Sequence, residues 1–246
     1  MPNMSALIRA DLYKSFHRVY LYVFMGVMAA IAISMSAVLA HSQAVLEDAL
    51  GLGAMLMTYP LYFICMFADI IMAEENKEHT LKNTISFGTP RTALYISKNI
   101  STVLVAFAVA CVTVASYLIS SFVLLRPAKD DMIQALTGFA QQLGVMLLFY
   151  IAAAALAVLL AAVIKKNAMF AFAYFGILFL PNLLLKILSY ANPVFGNIGK
   201  YTLTSQAQSV MSLSNSQLLT PVWFALGYLV LFFAIGLFVF RKQEIS

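Results

Sequence analysis

Charged residues are scarce in this chain: Lys, Arg, Asp and Glu make up 10% of its 246 residues, and hydrophobic residues make up 63%. Ordinary soluble domains carry about 25% charged and about 45–50% apolar residues. Water is therefore excluded as the main solvent. The apolar residues form blocks near or above the roughly 20 residues that cross a bilayer as a helix. We expect an all-α integral membrane protein, because membrane barrels show alternating hydrophobicity instead.

Cysteine and catalytic motifs are scarce as well. Cys65 and Cys111 both fall inside apolar blocks, so they imply no disulfide or metal framework. The sequence has no His-Glu-x-x-His zinc motif and no Gly-x-x-x-x-Gly-Lys-Ser/Thr phosphate-binding loop. We therefore expect no catalytic residue, no metal site and no cofactor on this chain. The formal net charge of +5 does not indicate nucleic-acid binding, because the basic residues lie at the ends of the apolar blocks.

The apolar blocks predict six transmembrane helices in a single domain. Residues 1–18 have the pattern of an amphipathic helix that lies on the membrane surface before the first of them, with a plain juxtamembrane helix as the alternative. Pro181 and Asn182 interrupt the fifth block, which predicts a kink or a split there. Residues 191–219 are rich in Ser, Asn and Gln and are predicted to be extracellular or re-entrant. The six spans are predicted at residues 19–40, 51–73, 99–125, 138–164, 168–190 and 220–240, the last capped by Thr220 and Pro221.

The basic residues predict the orientation of these spans. With both termini inside, Arg126, Lys129, Lys186 and Lys200 fall outside, and the other eleven of the fifteen Lys and Arg residues fall inside. Cytoplasmic segments carry the excess of basic residues in membrane proteins. We therefore expect a multi-pass protein of the cell membrane with cytoplasmic N- and C-termini.

Residues 74–88, between the second and third spans, form a charged segment with helical spacing. Leu81 and Ile85 lie one turn apart, and Glu78 and Lys82 form a favourable i,i+4 pair. Gly88 is a natural helix terminator. The segment is predicted to be a short cytoplasmic helix that could receive force from a soluble partner.

A second helix is predicted to follow at once. Thr89 and Pro90 have the residue types of an N-cap and first helical position, and the new helix should lead through Lys98 into the third span.

This region is similar to the permeases of ABC-2 type transporters. Two spans flank a Glu-rich start, then Thr80-Leu81-Lys82, then Pro90-Arg91 and Lys98, and the similarity is best in residues 70–100. His79 stands where many members of that family have Gly, which affects the local turn. The resemblance implies an N-terminal elbow helix and a coupling helix that docks on an ATPase, involving Glu74, Glu75, Glu78, His79, Thr80, Leu81, Lys82, Ile85 and Arg91.

The resemblance also implies partners. A separate nucleotide-binding ATPase would hold ATP and Mg, and a second permease subunit, identical or related, would complete the path through the membrane lipid. Small permeases with short outer loops are similar to those that expel peptides, including antimicrobial peptides. We therefore expect export of an amphipathic substrate such as a peptide, with drugs and lipids as alternatives.

Two other functions fit parts of the sequence. A secondary transporter or other non-ATP membrane protein would show inverted repeats and several buried ionisable groups. Asp69 is the only carboxylate within a predicted span, and it could be functional or could pair with a Lys or Arg at the cytoplasmic end of that span. Tyr59, Phe63 and Phe67 recur every four residues and could line a translocation path with Asp69, or simply contact lipid and neighbouring helices.

A protease is the second of these functions. Glu74-Glu75-x-x-x-His79 partly resembles an element of intramembrane CAAX-type proteases, but the Arg of that element is replaced.

Overall fold

The computed structural model describes residues 4–77, 80–86, 88–126, 132–164, 166–210, 213 and 217–242. Within these ranges the regular elements are helices and no strand is present. Before the second span they are α1 (Met4–Phe16) and α2 (Val19–His41). The longest helices that follow are α8, α9, α10 and α13, at Arg91–Leu124, Met132–Val163, Asn167–Ser189 and Leu219–Lys242.

Six segments are long and apolar enough to cross a membrane, as the sequence predicts. They are Val19–His41, Asp48–Lys77, Arg91–Leu124, Met132–Val163, Met169–Ser189 and Leu219–Lys242. Most residues of the second span and α9 are buried, whereas α2, α10 and α13 have few buried residues. A run of alanines at residues 152–155 is fully buried in α9, and small residues let neighbouring helices approach closely. The second span and α9 therefore form the centre of the bundle.

The second span is not one continuous α-helix. It consists of α3 (Leu46–Leu56), α4 (Thr58–Tyr62), α5 (Ile64–Ala68), a π-helical turn (Asp69–Ala73) and α6 (Glu74–Lys77). The α-helix is interrupted at residues 57 and 63. Irregular backbone at membrane depth is tolerated only where protein or water can satisfy it, which agrees with the burial of this span.

Three tyrosines from three other spans hydrogen-bond to the backbone of the second span. Tyr117 of α8 donates to the Ala49 carbonyl at 2.6 Å. Tyr150 of α9 donates to Met57 at 2.5 Å, and Tyr174 of α10 donates to Leu61 at 2.8 Å. The last two carbonyls lie at or just before the two interruptions of the helix. These hydroxyls supply the partners that a broken transmembrane helix needs.

The fifth span corrects one expectation. Helix α10 continues through Pro181, so the span is not split there. A proline inside a helix removes one backbone hydrogen bond and crowds the preceding turn. The Leu178 carbonyl in that turn accepts a hydrogen bond from the Thr204 hydroxyl at 3.1 Å. This contact ties the turn before Pro181 to the segment that follows the fifth span.

Two predicted helix starts are shifted by one or two residues. Helix α8 begins at Arg91 with Pro90 as its N-cap, and the buried Thr89 hydroxyl has no hydrogen-bond partner among the described residues. Helix α13 begins at Leu219, before Thr220 and Pro221. Both expected Thr caps are therefore wrong. Gly88 is confirmed as a helix terminator, because it adopts φ +88°. Glycine takes this conformation without steric cost.

Residues 191–219 contain two short helices, α11 (Pro193–Gly199) and α12 (Leu203–Ser209). The Asn192 side chain caps α11 and the Thr202 side chain caps α12. Both helices pack on α10, and α12 also packs on α13.

Candidate functional site

A cluster of charged side chains joins α1 to the two spans that flank the predicted coupling segment. We name it the charge cluster. Two of its members come from the start of α6 and one from the first third of α8, and the rest lie on α1 or directly after it. The members are Asp11, Lys14, Arg18, Glu74, Glu75 and Lys98.

Lys98 lies at the centre of this cluster. Its Nζ is 2.6 Å from Oδ1 of Asp11 and 2.7 Å from Oε2 of Glu75. Ser101 donates a hydrogen bond to the other Asp11 oxygen at 3.1 Å. Lys98 and Asp11 are only 3% and 4% exposed. Burial raises the pKa of the Asp11 carboxyl, and the ammonium group of Lys98 partly offsets that rise. Removing either partner of such a buried ion pair would leave an unpaired buried charge and destabilise the folded chain.

The outer part of the cluster is more exposed. Arg18 Nη2 lies 2.7 Å from Glu74 Oε2, and Lys14 Nζ lies 3.2 Å from the same oxygen and 3.8 Å from Glu75 Oε1. Single exposed pairs contribute little to stability, but a network with buried members holds its elements in a fixed geometry. The cluster therefore fastens α1 to the end of the second span and to α8.

Helix α6 is also tied to α9. The buried Asn76 side chain donates to the carbonyls of Ala161 and Ala162, at 3.0 Å each. These carbonyls belong to the last turn of α9, where helical carbonyls lack intrahelical partners. The cluster and this cap together hold the segment that precedes the predicted coupling helix.

Within the predicted coupling segment the structure has a short helix, α7 (Thr80–Ser86), but Leu81 is not exposed there for direct contact with a partner. Leu81, like Ile85, is among the residues that the resemblance implies for docking on an ATPase. Its side chain is 1% exposed and lies in the main hydrophobic core, with Ile85 partly buried against that core. The two residues share a helix face, and that face packs against the hydrophobic core of the same chain.

The opposite face of α7 is exposed to solvent, and we name it the α7 outer face. It consists of Thr80, Lys82, Asn83 and Ser86. Within the chain, the Thr80 hydroxyl donates to the Glu75 carbonyl at 3.2 Å. Any partner that docks on α7 would meet this polar face first.

The remaining predicted coupling residues lie in several places. Glu78 and His79 lie outside the described residues, and so does the predicted Glu78–Lys82 pair. Glu74 and Glu75 form ion pairs with basic side chains of the same chain, as described above. The Arg91 guanidinium donates to the Arg241 carbonyl at 3.0 Å, so it connects the start of α8 to the end of α13.

The candidate path residues differ in their surroundings. Tyr59 is 45% exposed. Phe63 and Phe67 both pack against Phe24 of α2, with ring centroids 5.1 Å and 5.8 Å apart. Phe63 and Phe67 therefore take part in helix packing, and Tyr59 remains exposed.

Asp69 opens the π-helical turn, and its buried Oδ1 has no hydrogen-bond partner among the described residues. π-Helical turns are rare and occur often at functional sites. Hydrophobic spacing does not indicate where such a turn lies, so this one could not be predicted.

The Asp11–Lys98 pair could not be predicted either, because the two residues are far apart in the chain.

Comparison of the chain with models of known protein families finds no match, and comparison with curated proteins finds none either.

Proposed function

We propose that this chain is the membrane-spanning permease subunit of an ATP-driven exporter of the ABC-2 type. A separate ATPase would bind ATP and Mg, and a second permease subunit would complete the translocation path. The substrate would be amphipathic, such as a peptide. The resemblance in residues 70–100 supports this proposal, together with six helices long enough to span a membrane.

The observation that carries the proposal is the position of α7. One side of this helix, at Leu81, packs into the transmembrane core, while the α7 outer face is exposed. A force applied by a soluble partner to the outer face would reach the bundle directly through Leu81. The charge cluster and the Asn76 cap would limit independent movement of the segment just before α7. Together they form a short mechanical connection between a docking face and the spans.

The predicted topology can be tested with single reporter cysteines. In a variant with Cys65 and Cys111 replaced by Ala, a cysteine at Ser86 should lie in the cytoplasm and one at Asn197 should lie outside. In intact cells, an impermeant maleimide is expected to label Asn197→Cys but not Ser86→Cys, and permeabilisation should expose Ser86→Cys. Labelling of Ser86→Cys alone in intact cells would show that the orientation is inverted.

The proposed function is tested by ATP hydrolysis. The chain purified to homogeneity should not hydrolyse ATP, because it lacks a phosphate-binding loop. The chain isolated from native membranes under mild conditions should retain the separate ATPase and therefore hydrolyse ATP. Lys82→Glu on the α7 outer face should weaken retention of that partner by about tenfold, equivalent to about 1.4 kcal/mol. The matched control is Lys166→Glu, an exposed lysine outside α7.

Hydrolysis by the homogeneous chain would rule out the proposed division of labour. Equal partner retention by Lys82→Glu, Lys166→Glu and the wild type would show that α7 is not the docking element. A secondary transporter would move its substrate without any such partner.

A further inference from the structure

The chain turns back along α10 after the fifth span ends. A Cβ at Gly196 of α11 would lie 3.3 Å from Cβ of Ser189. A Cβ at Gly199, one turn further on, would lie 3.4 Å from Cβ of Leu185. Helix α11 is therefore antiparallel to α10 and packs closely against it.

The start of α12 continues in the same direction. The Ser205 hydroxyl donates to Asn182 Oδ1 at 2.8 Å, and the Thr204 hydroxyl donates to the Leu178 carbonyl at 3.1 Å. Between Ser189 and Leu178 the contacts have moved back along α10 by about 16 Å, at the rise of an α-helix. This distance is about half of the roughly 30 Å of hydrocarbon in a bilayer.

The end of α12 lies beside the middle of the second span. Gln208 Nε2 donates to the Tyr62 hydroxyl at 3.3 Å. Tyr62 is near the midpoint of the second span, and Leu178 is near the midpoint of the fifth. The Tyr62 ring stacks on Phe179 of α10, with centroids 4.6 Å apart. Contacts with two spans therefore place the end of α12 level with the middle of the bundle.

A cavity of about 830 Å³ lies between this returning segment, α10 and the start of α13. It extends from Ser189, at the end of α10, to Gln208 at the end of α12. Arg241, at the other end of α13, accepts a hydrogen bond from Arg91 at the start of α8. The mouth of the cavity therefore lies at the end of the bundle away from α7, and its floor lies level with the middle.

Gln208 indicates what fills this cavity. Its side chain is exposed and lines the cavity, so it meets either water or lipid. Polar side chains at the depth of the hydrocarbon face the bundle interior or a water-filled cavity, because lipid tails offer them no hydrogen bonds. Residues 200–202, between α11 and α12, are not helical. Such backbone is tolerated at this depth only where protein or water surrounds it.

We propose that this cavity is a water-filled vestibule, which leads from the end of the bundle away from α7 to the middle of the membrane. It ends at Gln208 and Tyr62. A hydrophilic solute, or the polar part of an amphipathic one, would enter it without leaving water. Only the half of the bundle between Tyr62 and α7 would then remain to be crossed. The vestibule does not depend on ATP-driven export and would serve a transporter of another kind equally.

Thiol modification tests the vestibule in the full chain reconstituted in liposomes, with Cys65 and Cys111 replaced by Ala. The probe is a negatively charged methanethiosulfonate, present on both sides of the membrane so that the orientation of the chain does not affect the result. Such reagents attack the thiolate, which forms in water and is suppressed in apolar surroundings. Gln208→Cys is expected to react at least about tenfold faster than Ile177→Cys.

Ile177 is the matched control for depth. It precedes Leu178 in α10, is 43% exposed and is not among the described lining residues of the cavity. Ser205→Cys is a second reporter, because it lines the cavity and changes the side chain little. It should react like Gln208→Cys and keeps the test available if the loss of Gln208 disturbs α12. Labelling after denaturation confirms that each cysteine is present.

Nitroxide labels at positions 208 and 177 test what surrounds each side chain. Molecular oxygen is apolar and concentrates in hydrocarbon, whereas a charged or strongly polar nickel chelate stays in water. Power saturation of the electron paramagnetic resonance signal is expected to show access of the nickel chelate to position 208. Position 177 should be accessible mainly to oxygen.

Three results would overturn the proposal. Slow modification of Gln208→Cys and Ser205→Cys at the rate of Ile177→Cys, with high oxygen access at position 208, would show that lipid fills the cavity. Low access of both oxygen and the nickel chelate to position 208 would show that protein fills it. Equal access of the nickel chelate to positions 208 and 177 would show that this level of α10 lies outside the membrane.

Discussion

Replacing Lys98 by Met is expected to destabilise the folded chain by about 3–5 kcal/mol. Lys98 and Asp11 are almost completely buried, and Lys98 contacts both Asp11 and Glu75 at less than 3 Å. Met keeps most of the side-chain volume but removes the charge. The buried Asp11 carboxylate then loses its cationic partner, and α1 loses its main attachment to α8. The free energy of unfolding can be measured by SDS titration in mixed micelles.

The effect should depend on pH with a defined sign. In the native chain burial raises the pKa of Asp11, and Lys98 lowers it. Without Lys98 the pKa of Asp11 should rise further, so the folded variant favours the protonated carboxyl. Its loss of stability should therefore be small at low pH and should develop as the pH rises through that pKa.

Two further variants serve as controls for this substitution. The double variant Asp11→Asn/Lys98→Met should recover most of the lost stability, because no fully buried charge is left unpaired and the more exposed Glu75 keeps Lys14 as a partner. Lys166→Met, at an exposed lysine, should behave as wild type. A Lys98→Met variant with wild-type stability at neutral pH would show that the charge cluster does not hold α1 in place.

Replacing Gly236 by Ala is expected to cost roughly 1–3 kcal/mol through overpacking. A Cβ at Gly236 would lie 1.9 Å from the Tyr95 hydroxyl oxygen and 2.8 Å from its Cζ, so the ring would have to move. Tyr95 is completely buried and packs between Phe233 and Phe240, which limits that movement. Helices α8 and α13 should therefore separate slightly.

The matched control for this substitution is Gly227→Ala in the same helix. A Cβ at Gly227 meets nothing within 4 Å, so this change should be neutral or stabilise α13 by up to about 1 kcal/mol. Both variants replace glycine by alanine in α13, and the difference between them isolates the contact with Tyr95. Equal unfolding free energies for Gly236→Ala and Gly227→Ala would contradict the close approach of the two helices.

The parts of the fold that follow from local patterns could be predicted from the sequence. Apolar blocks specify the spans because the bilayer requires a minimum length of apolar helix. The start of the third span could be read in the same way, since Gly88 ends one helix and Pro90 precedes the next. These signals act over a few residues, so they need no knowledge of tertiary structure.

The interior of the second span could not be predicted in this way. Its apolar composition is that of a continuous helix, and an i,i+4 series such as Tyr59 and Phe63 assumes one. The observed interruptions depend on hydroxyl groups from other spans, such as Tyr150 and Tyr174. Such partners appear only when the bundle is assembled.

The same limit applies to the candidate site. Amphipathic spacing identified α7 and the apolar pair Leu81 and Ile85, but spacing cannot tell whether that face meets a partner or its own chain. The structure assigns it to the chain's own core. The exposed polar residues beside Leu81 are therefore the better candidates for contact, and Lys82 is the one varied in the test above.

The burial of Leu81 also changes what a substitution there would report. Leu81→Asp would place a carboxylate in the hydrophobic core, which is strongly unfavourable. A loss of transport in that variant would not separate lost coupling from misfolding. Variants on the α7 outer face make this separation, because exposed substitutions usually change stability by less than about 0.5 kcal/mol.

Photo-cross-linking from α7 tests the central claim most directly. A benzophenone amino acid is placed at Asn83 on the α7 outer face, and a control is placed at the exposed Tyr190 after the end of α10. In native membranes, irradiation should join position 83 to a protein that binds ATP, and position 190 should give no such product. If position 83 yields no adduct with an ATP-binding protein while the chain is intact and inserted, the proposed coupling through α7 is wrong.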